Sequence, residues 1–147
     1  MAAVVLRSLA EHAGVGDRLS IESAATGDWH VGERADQRTL AALDRAGYDG
    51  SRHRARQFDA VDFPALDLVV AFDRGQARIL RNQAPTEADR AKVRMLLEFD
   101  SELASLHDVP DPYYSDAATF DRVLGMIERA TTALFRQLAP ALRQGIR

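Results

Sequence analysis

Apolar residues recur at helical spacing in four parts of the chain. The pattern predicts helices over residues 1–13, from about Asp36 to Ala46, over Arg74–Asn82, and from about Asp116 onward. Pro140 lies within the last of these four predicted helices. It is expected to kink or terminate that helix, because proline has no backbone N–H to donate.

Three short segments between the helices have the composition of β-strands: Leu19–Ala25, Leu66–Phe72 and Val93–Leu97. The middle segment is a continuous apolar run with β-branched residues, which suits a strand buried on both faces. Strands that alternate with helices favour right-handed βαβ units and a parallel sheet. The predicted fold class is therefore α/β, a three-layer sandwich with a short parallel sheet flanked by helices. Residues 1–147 are expected to form a single domain.

Composition excludes several classes of partner. The net charge of -3 argues against a nucleic-acid-binding protein. No apolar run approaches the ~20 residues that span a bilayer, and the N-terminal residues do not have the pattern of a signal peptide. We therefore expect a soluble, cytoplasmic protein with neither a membrane nor a nucleic-acid partner.

Metal and cofactor chemistry is not indicated either. The chain has no cysteine, so it can form neither a disulfide nor a thiolate metal site. Its four histidines, at positions 12, 30, 53 and 107, do not have metal-ligand spacing. No metal and no cofactor are expected.

The most informative local motif is Asp111-Pro112-Tyr113-Tyr114. Asp-Pro initiates turns, because proline fixes φ at the second turn position. One interpretation is a surface turn with two half-buried tyrosines. The other is a general acid, Asp111, held beside an aromatic slot that Tyr113 and Tyr114 provide for a planar substrate.

Other candidate residues are weak when taken singly. Trp29 and His30 lie in a loop after a predicted strand, at the sheet edge where α/β proteins bind ligands, although a lone loop tryptophan also covers a core. Ser23, His53 and Asp73 each have an ordinary interpretation as a helix cap or a satisfied buried polar group.

Taken together and in this order, the segments resemble the low-molecular-weight protein tyrosine phosphatases. The resemblance spans essentially the whole chain. The matching stretches are Ser23–Gly32, Ala35-Asp36, His53–Gln57, Asp67–Asp73, Val93–Leu96 and Asp111–Tyr114.

The resemblance implies hydrolysis of phosphotyrosine in protein substrates through a phosphocysteine intermediate. It implies that Asp111 is the general acid, which protonates the phenolic leaving group and later activates water. It assigns the substrate-binding rim to Trp29, His30, Tyr113 and Tyr114. It also assigns Ser23, His53 and Asp73 to the hydrogen-bonded support beneath the phosphate loop.

One departure from this family stands out. The family's catalytic loop, Cys-x5-Arg-Ser/Thr-Pro, follows a first strand that lies in the centre of the sheet. This chain begins at Met1, where the family would be just past that loop, and it has no cysteine. We expect the chain to be inactive alone, because the thiolate nucleophile and the phosphate-binding amides are absent together.

Two explanations of this departure remain open: an internal methionine taken as the start of a complete phosphatase, or a naturally or artificially shortened chain. The alternative function is a catalytically dead scaffold that binds a partner or self-associates. Arsenate reduction on a similar fold is disfavoured, because it depends on several redox cysteines.

Overall fold

The computed structural model describes residues 1–27, 31–112 and 115–144. Within these ranges the chain forms five α-helices and two β-strands. The helices are α1 (Ala2–His12), α2 (Gln37–Arg45), α3 (Arg74–Gln83), α4 (Glu87–Ala91) and α5 (Ala117–Arg143), and the strands are β1 (Val69–Ala71) and β2 (Val93–Met95). Short 3-10 turns connect them at Gly16–Arg18, Ala60–Ala65, Leu96–Phe99 and Ala104–Leu106.

Acidic side chains cap the N-termini of α2 and α5. Asp36 accepts a hydrogen bond from Arg38 N at the start of α2, and Asp116 accepts one from Thr119 N at the start of α5. Such caps satisfy backbone N–H groups that have no partner within the helix. The predicted starts of these two helices are confirmed.

One of the two predicted outcomes is that α5 terminates at Pro140. The helix instead continues to Arg143. Proline removes one hydrogen bond from the last turn, and two buried side chains hold that turn in place. Ala139 and Leu142 pack in a cluster with Ala10 of α1. Burial of the apolar face therefore outweighs the local preference of proline.

The sheet contains two parallel strands among the described residues. β1 pairs with β2 in the register Val69↔Val93, Val70↔Arg94 and Ala71↔Met95. Both strands are shorter than predicted: β1 covers only Val69–Ala71 of the predicted Leu66–Phe72, and β2 ends at Met95 because the chain turns into a 3-10 helix at Leu96.

The predicted strand over Leu19–Ala25 is wrong. In that segment only Ala25 forms a β-bridge among the described residues, with Gln57. A strand needs a continuous hydrogen-bonding neighbour, and Ala25 bonds instead to the loop, through Arg56 O and Phe58 N.

Helices cover the sheet on both faces. On one face Val69, Ala71 and Val93 pack with Ala77 and Leu80 of α3. On the other face Val70 and Phe72 pack against a cluster that includes Val123 and Ile127 of α5. The predicted three-layer α/β class is confirmed.

Helix α1 lies against α5 and α2. Val5 of α1 is fully buried in a cluster with Leu43 of α2 and with Phe120 and Leu124 of α5. This packing places the N-terminal end of α1 beside α2 and beside the loops that carry the candidate site. In the described part of the chain, no helix is both long and apolar enough to cross a membrane.

Candidate active site

Ser23 and His53 meet at the wall of a cavity. Ser23 Oγ lies 3.3 Å from His53 Nδ1, although the two residues are 30 positions apart in the sequence. A turn positions the histidine, because His53 N donates to Gly50 O. The structure therefore brings together two residues that are individually weak in the sequence.

The cavity has a volume of about 240 Å³ and lies at the N-terminal end of α1. Its lining residues are Met1, Ala3, Val4, Ser23, Ala35, Asp36, Thr39, Leu43, Gly50 and His53. The N-terminal end of an α-helix favours negative charge, because its first N–H groups lack partners within the helix.

One carboxylate lines this cavity, that of Asp36. Its oxygens accept hydrogen bonds from Nε and Nη2 of Arg38, at 3.1 Å each, and from the backbone N of Arg38. The Arg38 side-chain hydrogen bonds hold the pKa of Asp36 below its usual value, although burial acts in the opposite direction. The positive charge of Arg38 therefore offsets the negative charge of Asp36 beside the cavity.

His53 favours its neutral form. Burial is the main cause of its lowered pKa, and the positive charges of the chain's amino terminus, Arg7 and Arg54 act in the same direction. A neutral imidazole has one donor and one acceptor nitrogen. The contact with Ser23 uses Nδ1 and leaves Nε2 for another partner.

The segment before Asp111 is attached to the carboxyl end of β1. Val109 N donates to Phe72 O at 2.7 Å. Asp108 accepts hydrogen bonds from the backbone N and from the guanidinium of Arg74 at the start of α3. Asp111 follows two residues after Val109, so it lies within ~7 Å of chain reach from this edge.

Asp111 is exposed and has interaction partners. Further along the chain, Ser115 N donates a hydrogen bond to Pro112 O at 2.8 Å. The predicted rim residues Trp29, His30, Tyr113 and Tyr114 lie outside the described residues.

Asp73 lies at a different place from Ser23 and His53. It caps α3, where its Oδ1 accepts from Gln76 N at 2.7 Å. It is not one of the residues that line the cavity, and within the described ranges it forms no hydrogen bond to Ser23 or His53. Its geometry matches the ordinary interpretation of a helix cap.

Two further features of the site were not predicted from sequence. The Arg74–Asp108 ion pair fixes the approach to Asp111, but its partners are 34 residues apart and nothing in the sequence pairs them. Gly50 lines the cavity, and a Cβ there would lie 2.7 Å from Leu43 Cδ1. The Asp49-Gly50 dipeptide predicts a turn, but it gives no sign of this close packing.

The fold and the site define an α/β protein with a short parallel sheet and with a cavity at a helix N-terminus, lined by Ser23 and His53. The family model described as low molecular weight phosphotyrosine protein phosphatase matches residues 1–144. The chain belongs to this family.

Individual relatives agree with that assignment. The chain is 50% identical over 135 residues to a low molecular weight protein-tyrosine-phosphatase of Streptomyces coelicolor, covering 91% of this chain and 82% of the relative. It is 46% identical over 125 residues to low molecular weight protein-tyrosine phosphatase A of Mycobacterium tuberculosis, covering 84% of this chain and 73% of the relative.

A solved structure supports the fold. The crystal structure of a protein tyrosine phosphatase from Entamoeba histolytica, with Hepes in its active site, superposes with a TM-score of 0.88. The two chains are 26% identical, and the match covers 95% of this chain and 88% of the other.

Proposed function

We propose that these 147 residues are part of a cytoplasmic protein tyrosine phosphatase that hydrolyses phosphotyrosine in protein substrates. The observation that carries the proposal is the hydrogen-bonded Ser23–His53 pair on the wall of the cavity at the N-terminal end of α1. The chain belongs to the phosphotyrosine phosphatase family, so we interpret this pair as part of a phosphatase active site.

The cavity suits a phosphate group or the backbone loop that holds one. The N-terminal end of α1 supplies partial positive charge, and the Ser23 hydroxyl and the His53 imidazole supply neutral hydrogen-bonding groups. Asp36 does not oppose an anion strongly, because Arg38 balances its charge. Ser23 and His53 would orient the phosphate-binding loop rather than react themselves.

Asp111 is the proposed general acid. Its position after the anchored segment Asp108–Val109 holds it near the carboxyl edge of β1, where ligands of parallel α/β sheets bind. There it would protonate the phenolic oxygen as the bond to phosphorus breaks, and then take a proton from the attacking water. Trp29, His30, Tyr113 and Tyr114 remain the proposed rim for the aromatic ring, and Asp73 remains a proposed support through its cap on α3.

The nucleophile is the missing element. None of the 147 residues is a cysteine, so a phosphocysteine cannot form on any of them. We propose that this chain alone does not hydrolyse aryl phosphates and that the nucleophile belongs to sequence not included in it. Nucleophile and phosphate cradle act as a unit, and the loss of a unit removes nearly all of the rate enhancement.

The test has two arms. The purified 147-residue chain should hydrolyse p-nitrophenyl phosphate no faster than buffer. The DNA upstream of the Met1 codon should encode, in frame, an apolar strand followed by Cys-x5-Arg-Ser/Thr-Pro, and the extended protein should be active. Turnover by the 147-residue chain that disappears in Asp111→Ala would overturn the proposal, because it would reveal a different nucleophile.

The absence of cysteine favours a second candidate function, that of a catalytically inactive scaffold that binds a partner or self-associates. An upstream sequence without the cysteine loop would support this candidate. An active extended protein would exclude it.

A further inference from the structure

Arg34 and Arg54 lie directly opposite each other in a short antiparallel ribbon. Ala55 N donates to Glu33 O at 2.8 Å, so the Arg34–Arg54 pair occupies the narrow site between ladder hydrogen bonds. Side chains at such a site project from the same face, with Cβ atoms about 4.5–5.5 Å apart. Two arginine side chains therefore start from adjacent positions on one face.

This arrangement is unfavourable in the isolated chain, since like charges directly opposite each other destabilise a strand pair. Both arginines are exposed, and within the described residues neither forms an ion pair. Arg54 Nη1 donates to the carbonyls of Ser51 and His53, which orients its guanidinium and leaves Nε and Nη2 as further donors.

Carboxylates close in sequence are engaged by other groups. Asp36 pairs with Arg38, while Glu22 and Asp62 both pair with Arg56. Glu33 also has an interaction partner of its own. Within the part of the chain that the structure describes, no ion pair balances the positive charge of Arg34 and Arg54, in a chain whose net charge is -3.

The ribbon is also a wall of the candidate active site. Ala35 and His53 line the cavity, and they are the sequence neighbours of Arg34 and Arg54. Because side chains alternate between the two faces of an extended segment, the arginines lie on the outer face of this wall. A polypeptide spans ~3.3 Å per extended residue, so the part of it that contacts the arginines would lie some residues away from a residue in the cavity.

We propose that Arg34 and Arg54 form a docking surface for an acidic segment of the protein substrate, some residues away from the phosphotyrosine. This inference deepens the proposed phosphatase function and rests on it. Paired guanidinium groups suit carboxylates, because each presents N–H donors in a fixed planar array.

The experiment measures binding of the 147-residue chain to fluorescent peptides by anisotropy at low ionic strength. The peptides contain one unphosphorylated tyrosine followed at the third to sixth positions by Asp and Glu, by Gln and Asn, or by Lys. Because these peptides carry no phosphate, the result does not depend on catalysis or on the phosphate site. The acidic peptide should bind more tightly than the neutral one, and added salt should weaken its binding.

Arg34→Gln and Arg54→Gln should each weaken binding of the acidic peptide by about threefold, and the double variant by about tenfold. Arg136→Gln is the matched control, because Arg136 is an exposed arginine on α5. It removes the same charge and should leave the affinity unchanged. A second double variant, Arg34→Glu with Arg54→Glu, should prefer the lysine peptide, which tests the surface by reversal of its charge.

Equal affinity for the acidic and neutral peptides would overturn the inference, as would an equal loss in Arg136→Gln. The wild-type chain could instead bind a single-stranded oligonucleotide more tightly than the acidic peptide and lose that binding in the Arg34→Gln, Arg54→Gln double variant. That result would overturn the proposal that a peptide occupies this surface. Failure of the proposed catalytic function would appear separately, as an inactive extended protein with acidic-peptide binding unchanged.

Discussion

Ser23 Oγ and His53 Nδ1 lie 3.3 Å apart and join two loops at the wall of the cavity. This contact and the burial of His53 together determine whether its imidazole is charged or neutral. Burial lowers the pKa of His53, and the hydroxyl of Ser23 can accept from or donate to a neutral ring. The pair is therefore suited to a pH range in which His53 carries no charge.

The first prediction concerns stability against pH. The folded-state pKa of His53 lies below its ordinary value of 6.5, so the unfolded chain binds the proton more readily. The stabilising contribution is fully present above about pH 6.5 and is lost as the pH falls through the folded-state pKa. Urea unfolding from about pH 8 to about pH 5 should show a larger loss of stability for the wild-type chain than for His53→Gln.

Two variants control this measurement. His12→Gln removes an exposed imidazole on α1 and should retain the wild-type pH dependence. Ser23→Ala keeps the half-buried imidazole and should also retain a pH dependence, at lower overall stability. Acidic groups titrate in every variant and cancel in the comparison. Identical pH profiles for wild type and His53→Gln would show that His53 is not the group responsible.

The second prediction concerns Asp111 in an extended, active protein. Asp111→Asn should slow hydrolysis of aryl phosphates by ~10²–10⁴-fold, the usual contribution of a positioned general acid. The loss should be smaller for leaving groups of low pKa, because they need less protonation as they depart. The measurement is kcat across a series of substituted phenyl phosphates.

Asp108→Asn separates acid catalysis from positioning. It weakens the ion pair with Arg74 that anchors the segment before Asp111. We expect its effect on kcat to be similar for all leaving groups. A uniform loss in Asp111→Asn as well would assign Asp111 a structural role.

The parts of the fold that were predictable are those with strong local signals. The periodic apolar residues and the acidic caps Asp36 and Asp116 located the starts of α2 and α5 within a residue or two. The apolar run around Val69 and Val70 located β1, because β-branched residues between turn residues have few alternatives.

The remainder depended on contacts that are distant in sequence. Leu19–Ala25 has strand-like composition, yet pairing with another strand decides whether such a segment becomes one. The family resemblance assigned Ser23 and His53 to the same support, but it did not predict their direct contact, since neither residue carries a local signal for the other. The opposition of Arg34 and Arg54 depends on ribbon register, which composition does not encode.

The third prediction concerns self-association through β1. Val69 N donates to Lys92 O, so the backbone N–H and C=O of Val70 point away from β2. Among the described residues β1 has no strand on that side, although Val109 and the Gln76 side chain bond to Phe72. An open strand edge is a template for another chain. Light scattering should therefore show a weak, concentration-dependent dimer.

Val70→Pro tests this edge, because it removes the outward N–H and leaves the bonds to β2 in place. The variant should be monomeric, once circular dichroism has confirmed that it is folded. Val61→Ser is the control for nonspecific association, since Val61 is 76% exposed. A monomeric wild-type chain at every concentration would contradict the prediction.

The last prediction concerns packing at the floor of the cavity. A Cβ on Gly50 would lie 2.7 Å from Leu43 Cδ1 and 3.1 Å from Leu40 Cδ2, while Leu43 is only 1% exposed and has little room to move. Gly50→Ala should destabilise the chain by about 1–3 kcal/mol in urea unfolding, the usual cost of overpacking. In a Leu43→Ala background the same change should cost less, because the nearer atom is gone.

Gly125→Ala is the matched control for this substitution. A Cβ on Gly125 meets no atom within 4 Å, and the residue lies in the middle of α5. Alanine should stabilise the helix there by about 0.5–1 kcal/mol, since glycine is a poor helix former. The two Gly→Ala changes should therefore have opposite signs. A neutral or stabilising Gly50→Ala would show that Leu43 and Leu40 can move aside and that the floor of the cavity is not tightly packed.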